Sequence, residues 1–268
     1  MFASLRNLFV RKDQPPRPSV PPGERVYAIG DIHGRLDLFE ELIHAIERDD
    51  LESPPRGQTT VVLLGDLVDR GPSSAQVIAR AREWQIRRPV RILAGNHEEM
   101  FLESFDSTEI LRHFLKHGGQ ETVLSYGLSP ATYNDASLEE IRQLMHQIVP
   151  RHDRDFLAGF EPWVSIGDYL FVHAGIRPEV PLAEQQRRDL LWIREPFLRY
   201  TGPHLQFVIH GHTICETVDE QDNRIGVDTG AFRSGILTAI VLEGEHRRYI
   251  QAVEEAGLIA IHKGEQAG

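Results

Sequence analysis

The segment Gly65-Asp66-Leu67-Val68-Asp69-Arg70-Gly71-Pro72 places two carboxylates and one guanidinium close together in the chain. It comes directly after the apolar run Thr60-Val61-Val62-Leu63-Leu64 and before an amphipathic stretch. This pattern predicts a loop at the carboxyl end of a buried strand. Because charges at the edge of a core are costly unless they bind something, we expect this loop to belong to a functional site.

Strand, polar segment and helix recur on both sides of this loop. The predicted strand 26–29 ends in Gly30-Asp31-Ile32-His33-Gly34, and the predicted strand 90–94 ends in Gly95-Asn96-His97-Glu98. Amphipathic stretches with helical spacing follow the first two polar segments. This alternation predicts an α/β fold whose first strands are parallel. The acidic end of the first helix, residues 49–52, is expected to be solvated.

The second half of the sequence departs from this alternation. Residues 99–160 are predicted to form a helical insertion beside the site, because the segment contains no convincing strand. Strands then resume with a hairpin over 163–172, which ends in His173-Ala174-Gly175, and with strand 205–209, which ends in His210-Gly211-His212-Thr213. Three further strands, predicted at 224–227, 236–242 and 247–252, are expected to be antiparallel.

Composition and breaks in the chain indicate one catalytic domain. Among the 268 residues, 13–23 are rich in proline and predict an extended linker. We therefore expect a tail and linker over 1–23, a domain over 24–255 and a C-terminal tail over 256–268. Residues 1–12 are apolar and basic, which leaves weak association with a membrane surface as an alternative to a plain tail.

The bulk charge and the cysteine content exclude some classes of function. A net charge of -11 argues against a general nucleic-acid-binding protein, which needs basic patches. The single Cys215 precludes an internal disulfide and agrees with a reducing cytoplasm. No apolar stretch is as long as a membrane span, so we expect no stable membrane insertion. A cytoplasmic monomer without a nucleic-acid partner is the resulting expectation.

Polar residues next to glycine follow five predicted strands, where open α/β sheets form their sites. These residues are Asp31, His33, Asp66, Asn96, His97, His173 and His212. Oxygen and imidazole ligands without thiolate suit manganese, iron, zinc or nickel. Because the set exceeds the needs of one ion, we expect two divalent ions that share a carboxylate. Our hypothesis is that Asp66 bridges them, Asp69 orients a histidine and Arg70 binds a phosphate.

These motifs, in this order, resemble those of the calcineurin-like metallophosphoesterases, and within them the phosphoprotein phosphatase branch of bacterial and phage type. The resemblance covers about residues 25–250 and includes VDTGA at 227–231. It implies a four-layer α/β/β/α sandwich. It also implies a site with two divalent ions, of which manganese is the first candidate.

The resemblance further implies a role for each matching residue. Asp31 and His33 would bind the first metal, Asp66 would bridge both, and Asn96, His173 and His212 would complete the second. His97 would be the general acid, held by Asp69. Arg70 would bind the substrate phosphate, and Arg194 in Leu191-Trp192-Ile193-Arg194 is the candidate for a second phosphate-binding arginine.

The chemistry of phosphoester hydrolysis explains these residue types. Two metals neutralise phosphoryl oxygens and lower the pKa of a bridging water, which then attacks in line as hydroxide. Arginine holds phosphate oxygens through its planar fork. A histidine such as His97 can donate a proton to the leaving oxygen.

The predicted function is a serine/threonine phosphoprotein phosphatase, with tyrosine substrates left open and a phosphorylated protein or peptide as the partner. One alternative is a hydrolase of dinucleoside polyphosphates or other small phosphoesters. His33 counts against it, because the symmetrical dinucleoside tetraphosphatases typically have glutamine there. A second alternative, a non-catalytic scaffold, is disfavoured because every ligand and the acid are present. Ala94, where the phosphatase branch often has arginine, leaves the substrate class open.

Overall fold

The computed structural model describes residues 17–265 of the chain. Its strands are β1 (Arg25–Ile29), β2 (Thr59–Leu63), β3 (Val90–Ile92), β4 (Trp163–Ile166), β5 (Tyr169–Val172), β6 (Phe207–His210), β7 (Asp219–Glu220), β8 (Arg224–Gly226), β9 (Ile236–Glu243), β10 (His246–Glu255) and β11 (Leu258–Gly264).

Its α-helices are α1 (Leu36–Glu52), α2 (Ser74–Arg87), α3 (Asn96–Glu103), α4 (Thr108–Phe114), α5 (Gln120–Ser125), α6 (Pro130–Asp135), α7 (Leu138–Ile148), α8 (Arg151–Ala158), α9 (Arg187–Trp192), α10 (Glu195–Leu198) and α11 (Ala231–Ser234). A π-turn over Leu115–Gly119 joins α4 to α5, and a short 3-10 helix covers Leu182–Glu184.

The strands form two sheets. The first has the order β11-β10-β9-β1-β2-β3, and its β1, β2 and β3 are parallel, as the repeated pattern predicts. The second has the order β4-β5-β6-β8-β7. β9 and β10 are antiparallel as expected, whereas β8 runs parallel to β6. β8 is antiparallel to β7 as expected, so the prediction is wrong only for its pairing with β6, which the chain reaches again after it passes through β7.

The two sheets pack face to face, with a helical layer outside each. Alternate side chains of β1 divide between the layers, so that Val26 and Ala28 face the second sheet while Tyr27 and Ile29 pack with α1 and α2. On the far side of the second sheet, Val172 and Val208 pack with residues of α9 and α10. The predicted four-layer α/β/β/α sandwich is therefore confirmed.

Residues 99–160 contain helices and no strand in the structure. Helix α7 begins with a capping box, in which Ser137 and Glu140 exchange hydrogen bonds. The segment has an apolar cluster of its own, and Val68 of the acidic loop and Ile78 of α2 belong to it. This insertion therefore packs directly on the loop that carries Asp66 and Asp69.

Both ends of the described chain differ from the tails that the sequence predicts. Residues 258–264, expected in a tail, form β11, which pairs with β10 because Ile259 and Ile261 pack against the core beneath α1. Val20 of the predicted linker is buried, and its N–H donates to the Gly244 carbonyl at 3.1 Å. The apolar segment 1–12 lies outside the described residues. None of the helices within 17–265 is long and apolar enough to span a membrane.

Candidate active site

The predicted site residues come together at one edge of the two sheets. Arg194 aside, each follows the carboxyl end of β1, β2, β3, β5 or β6, and these strands all point towards that edge. Except for the two arginines, the residues are buried: Asp31, His33, Asp66, Asp69, Asn96, His97, His173 and His212. Such burial of so many polar groups requires partners beyond the apolar core.

Asp66 lies at the centre of this set, with its two oxygens turned to different histidines. Its Oδ2 is 3.5 Å from His33 Nε2 and 3.9 Å from His97 Nε2. Its Oδ1 is 3.4 Å from His173 Nε2. Two ligand clusters therefore share Asp66, one with His33 and His97 and one with His173 and His212. This arrangement suits a carboxylate that bridges two cations.

Asp31 and Asn96 border the two clusters. The Asn96 Oδ1 atom lies 3.0 Å from His173 Nε2 and 2.8 Å from His212 Nδ1, so it belongs with the second cluster as predicted. Asp31 lies 3.9 Å from His33 Nε2 and accepts the backbone N–H of His212 at 3.1 Å. Asp31 thus connects the first cluster to the loop of the second.

Two of the histidines are oriented by backbone carbonyls. His33 Nδ1 lies 2.8 Å from the Val68 carbonyl, and His173 Nδ1 lies 2.8 Å from the Leu64 carbonyl. A carbonyl only accepts hydrogen bonds, so each Nδ1 carries the proton and each Nε2 keeps the lone pair, which in His33 faces the Arg70 guanidinium. This is the orientation in which proteins present histidine to metals.

The titration behaviour of the cluster also suits metal ligands. Burial lowers the pKa of His33, His173 and His212, the last to about 2, so these rings stay neutral. Burial would raise the pKa of Asp66, but the electrostatic interactions with the surrounding imidazoles of His173, His97 and His33 outweigh it and lower the pKa. A neutral imidazole and an ionised carboxylate are the forms that bind a cation.

Two buried polar atoms test whether divalent ions fit here. His212 Nε2 and Asp228 Oδ2 have no hydrogen-bond partner within residues 17–265. Burial and the charge of Asp228 and Asp66 raise the pKa of Asp31, because three carboxylates crowd the same space. Cations between these carboxylates would remove the repulsion, so the donor set fits two divalent ions.

His97 is held by a chain of hydrogen bonds that reaches the insertion. Its Nδ1 lies 2.6 Å from Asp69 Oδ2, as the sequence predicts for these two residues. Thr122 Oγ1 donates to Asp69 Oδ1 at 2.6 Å, and the Asp69 N–H donates to Thr122 and Ser74. Burial lowers the pKa of His97, but Asp66 and Asp69 outweigh it and raise the pKa.

The two arginines differ in how far the structure places them in the site. Arg70 lies between the imidazoles, with its guanidinium nitrogens 3.0 Å from His33 Nε2 and 3.0 Å from His97 Nε2. Arg194 is exposed, and no hydrogen bond joins it to another predicted site residue within 17–265. Trp192, two residues before Arg194, lies edge-on to the His212 ring with 6.4 Å between the centroids, which brings this segment to the second cluster. The charge of Arg194 adds to the lowering of the pKa of His212, after burial and the interaction with His173.

Residues 24–216 match the family model of the calcineurin-like phosphoesterases. The chain belongs to this family. Its members are metal-dependent phosphoester hydrolases with a binuclear metal site, and the two clusters around Asp66 are the candidate ligand groups for such a site in this phosphoesterase. The identity of the metal is not fixed by the donor set.

Sequence relatives of this phosphoesterase are named as hydrolases of dinucleoside tetraphosphates. The asymmetrical bis(5'-nucleosyl)-tetraphosphatase PrpE of Oceanobacillus iheyensis is 24% identical over 234 residues, which are 80% of this chain and 87% of the relative. The symmetrical bis(5'-nucleosyl)-tetraphosphatase of Acidovorax ebreus is 33% identical over 177 residues. That match covers 66% of this chain and 49% of the relative, so the phosphoesterase spans about half of it.

A solved structure of a protein proposed to be a diadenosine tetraphosphatase shares the fold. Its TM-score is 0.58 at 20% identity, and the alignment covers 92% of this chain and 98% of that one. At this identity the match establishes the fold alone.

The prediction of a phosphoprotein phosphatase is wrong, because the curated relatives are named as dinucleoside tetraphosphatases. The motifs account for metal binding and for attack on phosphorus. Dephosphorylation of proteins and hydrolysis of dinucleoside tetraphosphates both require these steps. Substrate choice depends on residues outside the motifs. His33, which the sequence analysis counted against a nucleotide substrate, therefore does not discriminate between the two classes.

Two further residues of the phosphoesterase site, Glu98 and Asp228, were not predicted to be functional from the sequence. Glu98 accepts the backbone N–H groups of Asp66, Leu67 and Gly95 at 2.7 to 2.9 Å. It thereby holds a loop in which Asp66, Asp69 and Arg70 have φ of 50°, 73° and 70°, in the left-handed region that is costly for these residues. Asp228 is part of the VDTGA motif at 227–231, but the sequence alone assigns it no functional role.

Proposed function

We propose that this chain hydrolyses dinucleoside polyphosphates, with bis(5'-nucleosyl) tetraphosphates as the reference substrates. The observation that carries the proposal is the position of Asp66 between two buried ligand clusters, with Arg70 and His97 beside it. The names of the relatives support the nucleotide substrate. Hydrolysis of another small phosphoester at the same centre remains the alternative.

Six residues would hold two divalent ions: Asp31, His33, Asp66, Asn96, His173 and His212. When bound, the ions would neutralise phosphate oxygens and lower the pKa of a water molecule to near neutrality. Manganese is the first candidate, and iron, zinc or nickel would suit the same donors. The metal assignment is part of the proposal.

The chain's own residues would hold the substrate and balance its charge. The guanidinium of Arg70 lies against both His33 and His97, where it can bind a phosphate oxygen next to the acid. Arg194, exposed near His212, is the proposed second phosphate ligand. With Nδ1 bound to Asp69, His97 Nε2 is the ring nitrogen that would carry a proton towards the leaving oxygen, once Arg70, 3.0 Å away, turns to the substrate phosphate.

The reaction adds water to one phosphoanhydride bond. The water oxygen bonds to phosphorus while the bridging oxygen leaves with the other nucleotide. Symmetrical cleavage of a tetraphosphate gives two nucleoside diphosphates, and asymmetrical cleavage gives a triphosphate and a monophosphate. The leaving group is itself a phosphate, so it needs less help from His97 than an alkoxide does.

A parallel substrate panel tests the proposal. The purified chain, loaded separately with manganese, nickel, zinc and magnesium, is assayed on diadenosine tetraphosphate and on a phosphoserine peptide. We expect a higher kcat/KM for the dinucleotide. A higher kcat/KM for the phosphopeptide with every metal would overturn the proposal. Turnover of p-nitrophenyl phosphate controls for an active preparation.

A further inference from the structure

A cavity of about 1020 Å³ opens between α3, α4 and α9. Its walls include Glu99, Arg112, Lys116, Arg187, Arg188 and Trp192. Sites for small molecules occupy about 300 to 1000 Å³, so the cavity has room for a nucleotide. None of its residues belongs to the predicted metal or phosphate site.

The cavity shares two of its boundaries with the active site. The ring of Trp192 lies edge-on to that of His212, with 6.4 Å between their centroids. Lys116 belongs to the π-turn whose Gly118 carbonyl accepts the N–H of Arg70 at 2.9 Å. The cavity therefore lies next to elements that contact the two ligand clusters.

One side of the cavity is ordered by Glu99. Its two carboxylate oxygens accept from Trp192 Nε1 at 3.1 Å and from Arg187 Nε at 2.8 Å. The charge of Glu99 is thereby paired, and the indole is fixed in one orientation. Because the indole is already held in one orientation, little conformational entropy is lost when a flat ring binds against it.

The lining of the cavity also includes cations without carboxylate partners. Arg112, Lys116 and Arg188 are exposed, and none forms an ion pair with a carboxylate in the part of the chain described here. Most arginines elsewhere in that part have such partners, as Arg25 and Arg248 do. Glu103 and Glu109 also line the cavity, yet its cations outnumber its carboxylates although the whole chain carries -11.

We propose that this cavity binds the leaving nucleotide of a dinucleoside polyphosphate, with Arg112 and Lys116 on its phosphates and Trp192 against its base. The inference rests on the proposed function, since the leaving group is a nucleotide only in that reaction. A tetraphosphate presents one phosphorus to the metals and leaves other charged phosphates outside them. Those phosphates require cations, which this wall supplies.

The test compares two substrates on each variant. Diadenosine tetraphosphate has a leaving nucleotide and p-nitrophenyl phosphate has none. We expect the ratio of kcat/KM for diadenosine tetraphosphate to kcat/KM for p-nitrophenyl phosphate to fall about tenfold in Arg112→Gln and about tenfold in Lys116→Gln. Each variant loses one charged hydrogen bond to the substrate, which accounts for a change of this size. Arg151→Gln is the matched control, because Arg151 is an exposed helical arginine on α8. Its ratio should equal that of the wild type.

A competition assay separates this inference from the proposed function. Inorganic tripolyphosphate should inhibit hydrolysis of p-nitrophenyl phosphate more strongly than orthophosphate does, and the double variant R112Q/K116Q should lose that difference. If the wild type does not cleave the dinucleotide, the proposed function fails, and this assay alone decides on the cavity. An unchanged substrate ratio together with an unchanged preference for tripolyphosphate would overturn the inference.

Discussion

The Thr122 hydroxyl donates to Asp69 Oδ1 at 2.6 Å, across 53 positions of sequence. The other oxygen of Asp69 lies 2.6 Å from His97 Nδ1. The carboxylate therefore connects the insertion to the proposed general acid. Because Thr122 also accepts the N–H of Asp69, it fixes both the side chain and the backbone of that residue.

Thr122→Val should impair substrates that need acid assistance. Valine keeps the shape but removes a donor to the buried carboxylate, so Asp69 would hold His97 less firmly. We expect kcat for phenyl phosphate to fall about tenfold more than kcat for p-nitrophenyl phosphate, whose phenolate leaves easily. Thr122→Ser should restore the wild-type ratio. Equal losses on both esters would indicate that Thr122 acts on folding alone.

His97→Asn should show the same dependence on the leaving group, but more strongly. Removal of a general acid costs about 10² to 10⁴ in rate when the leaving group is a poor one. We expect a loss in this range for phenyl phosphate and a smaller loss for diadenosine tetraphosphate, since nucleotides leave more readily. Steady-state kinetics on both substrates provides the comparison. A larger loss on the dinucleotide would contradict the assigned role.

Asp66→Asn should reduce both metal content and turnover. The carboxylate faces both clusters, and an amide supplies only one oxygen with no charge. We expect two divalent ions per chain in the wild type and fewer in the variant, with turnover reduced by roughly 100-fold or more. Metal content is measured by elemental analysis after gel filtration. Asp155→Asn, at an exposed site on α8, should retain the full metal content.

Asp49 forms a second charged cluster, which shares no residue with the candidate active site and concerns stability. It accepts hydrogen bonds from Tyr27 Oη at 2.6 Å, from Arg248 Nη1 at 3.0 Å and from Lys263 Nζ at 3.1 Å. Burial raises the pKa of Asp49, but the bonds from Arg248 and Tyr27 outweigh it and lower the pKa to about 2. The carboxylate thus ties α1 to β10 and β11.

The lowered pKa of Asp49 predicts how the free energy of unfolding changes with pH. The ionised form contributes fully above the unfolded pKa near 4, and the contribution disappears as the pH falls towards 2. We expect Asp49→Asn to lower the free energy of unfolding by roughly 2 kcal/mol at pH 7, after allowance for the partly exposed partners. Urea unfolding at pH 7, 4 and 2.5 should show this difference shrinking with acid. A constant difference would count against the ion pairs.

The local motifs made most of the fold and the ligand set predictable. Each ligand lies within a few residues of a strand end, so sequence spacing alone places it at the edge of the sheet. The α7 helix likewise begins at a local cap, which Ser137 and Glu140 form three positions apart in the sequence. Such short-range patterns need no knowledge of the tertiary structure.

Contacts between distant segments were not predictable in this way. Thr122 meets Asp69, and Glu99 meets Trp192, only after the insertion folds back on the sheets. Asp49, expected in a solvated helix end, is buried because β10 and β11 cover it. Strand β11 follows a two-residue turn, Ala256–Gly257, at the position where the sequence predicts the start of a tail.

The proposed activity is best tested by chromatography of diadenosine tetraphosphate after incubation with the metal-loaded chain. We expect conversion to mononucleotides, either two diphosphates or a triphosphate and a monophosphate, with the reaction abolished by a chelator. An intact dinucleotide, in a preparation that still hydrolyses p-nitrophenyl phosphate, would contradict the proposed activity.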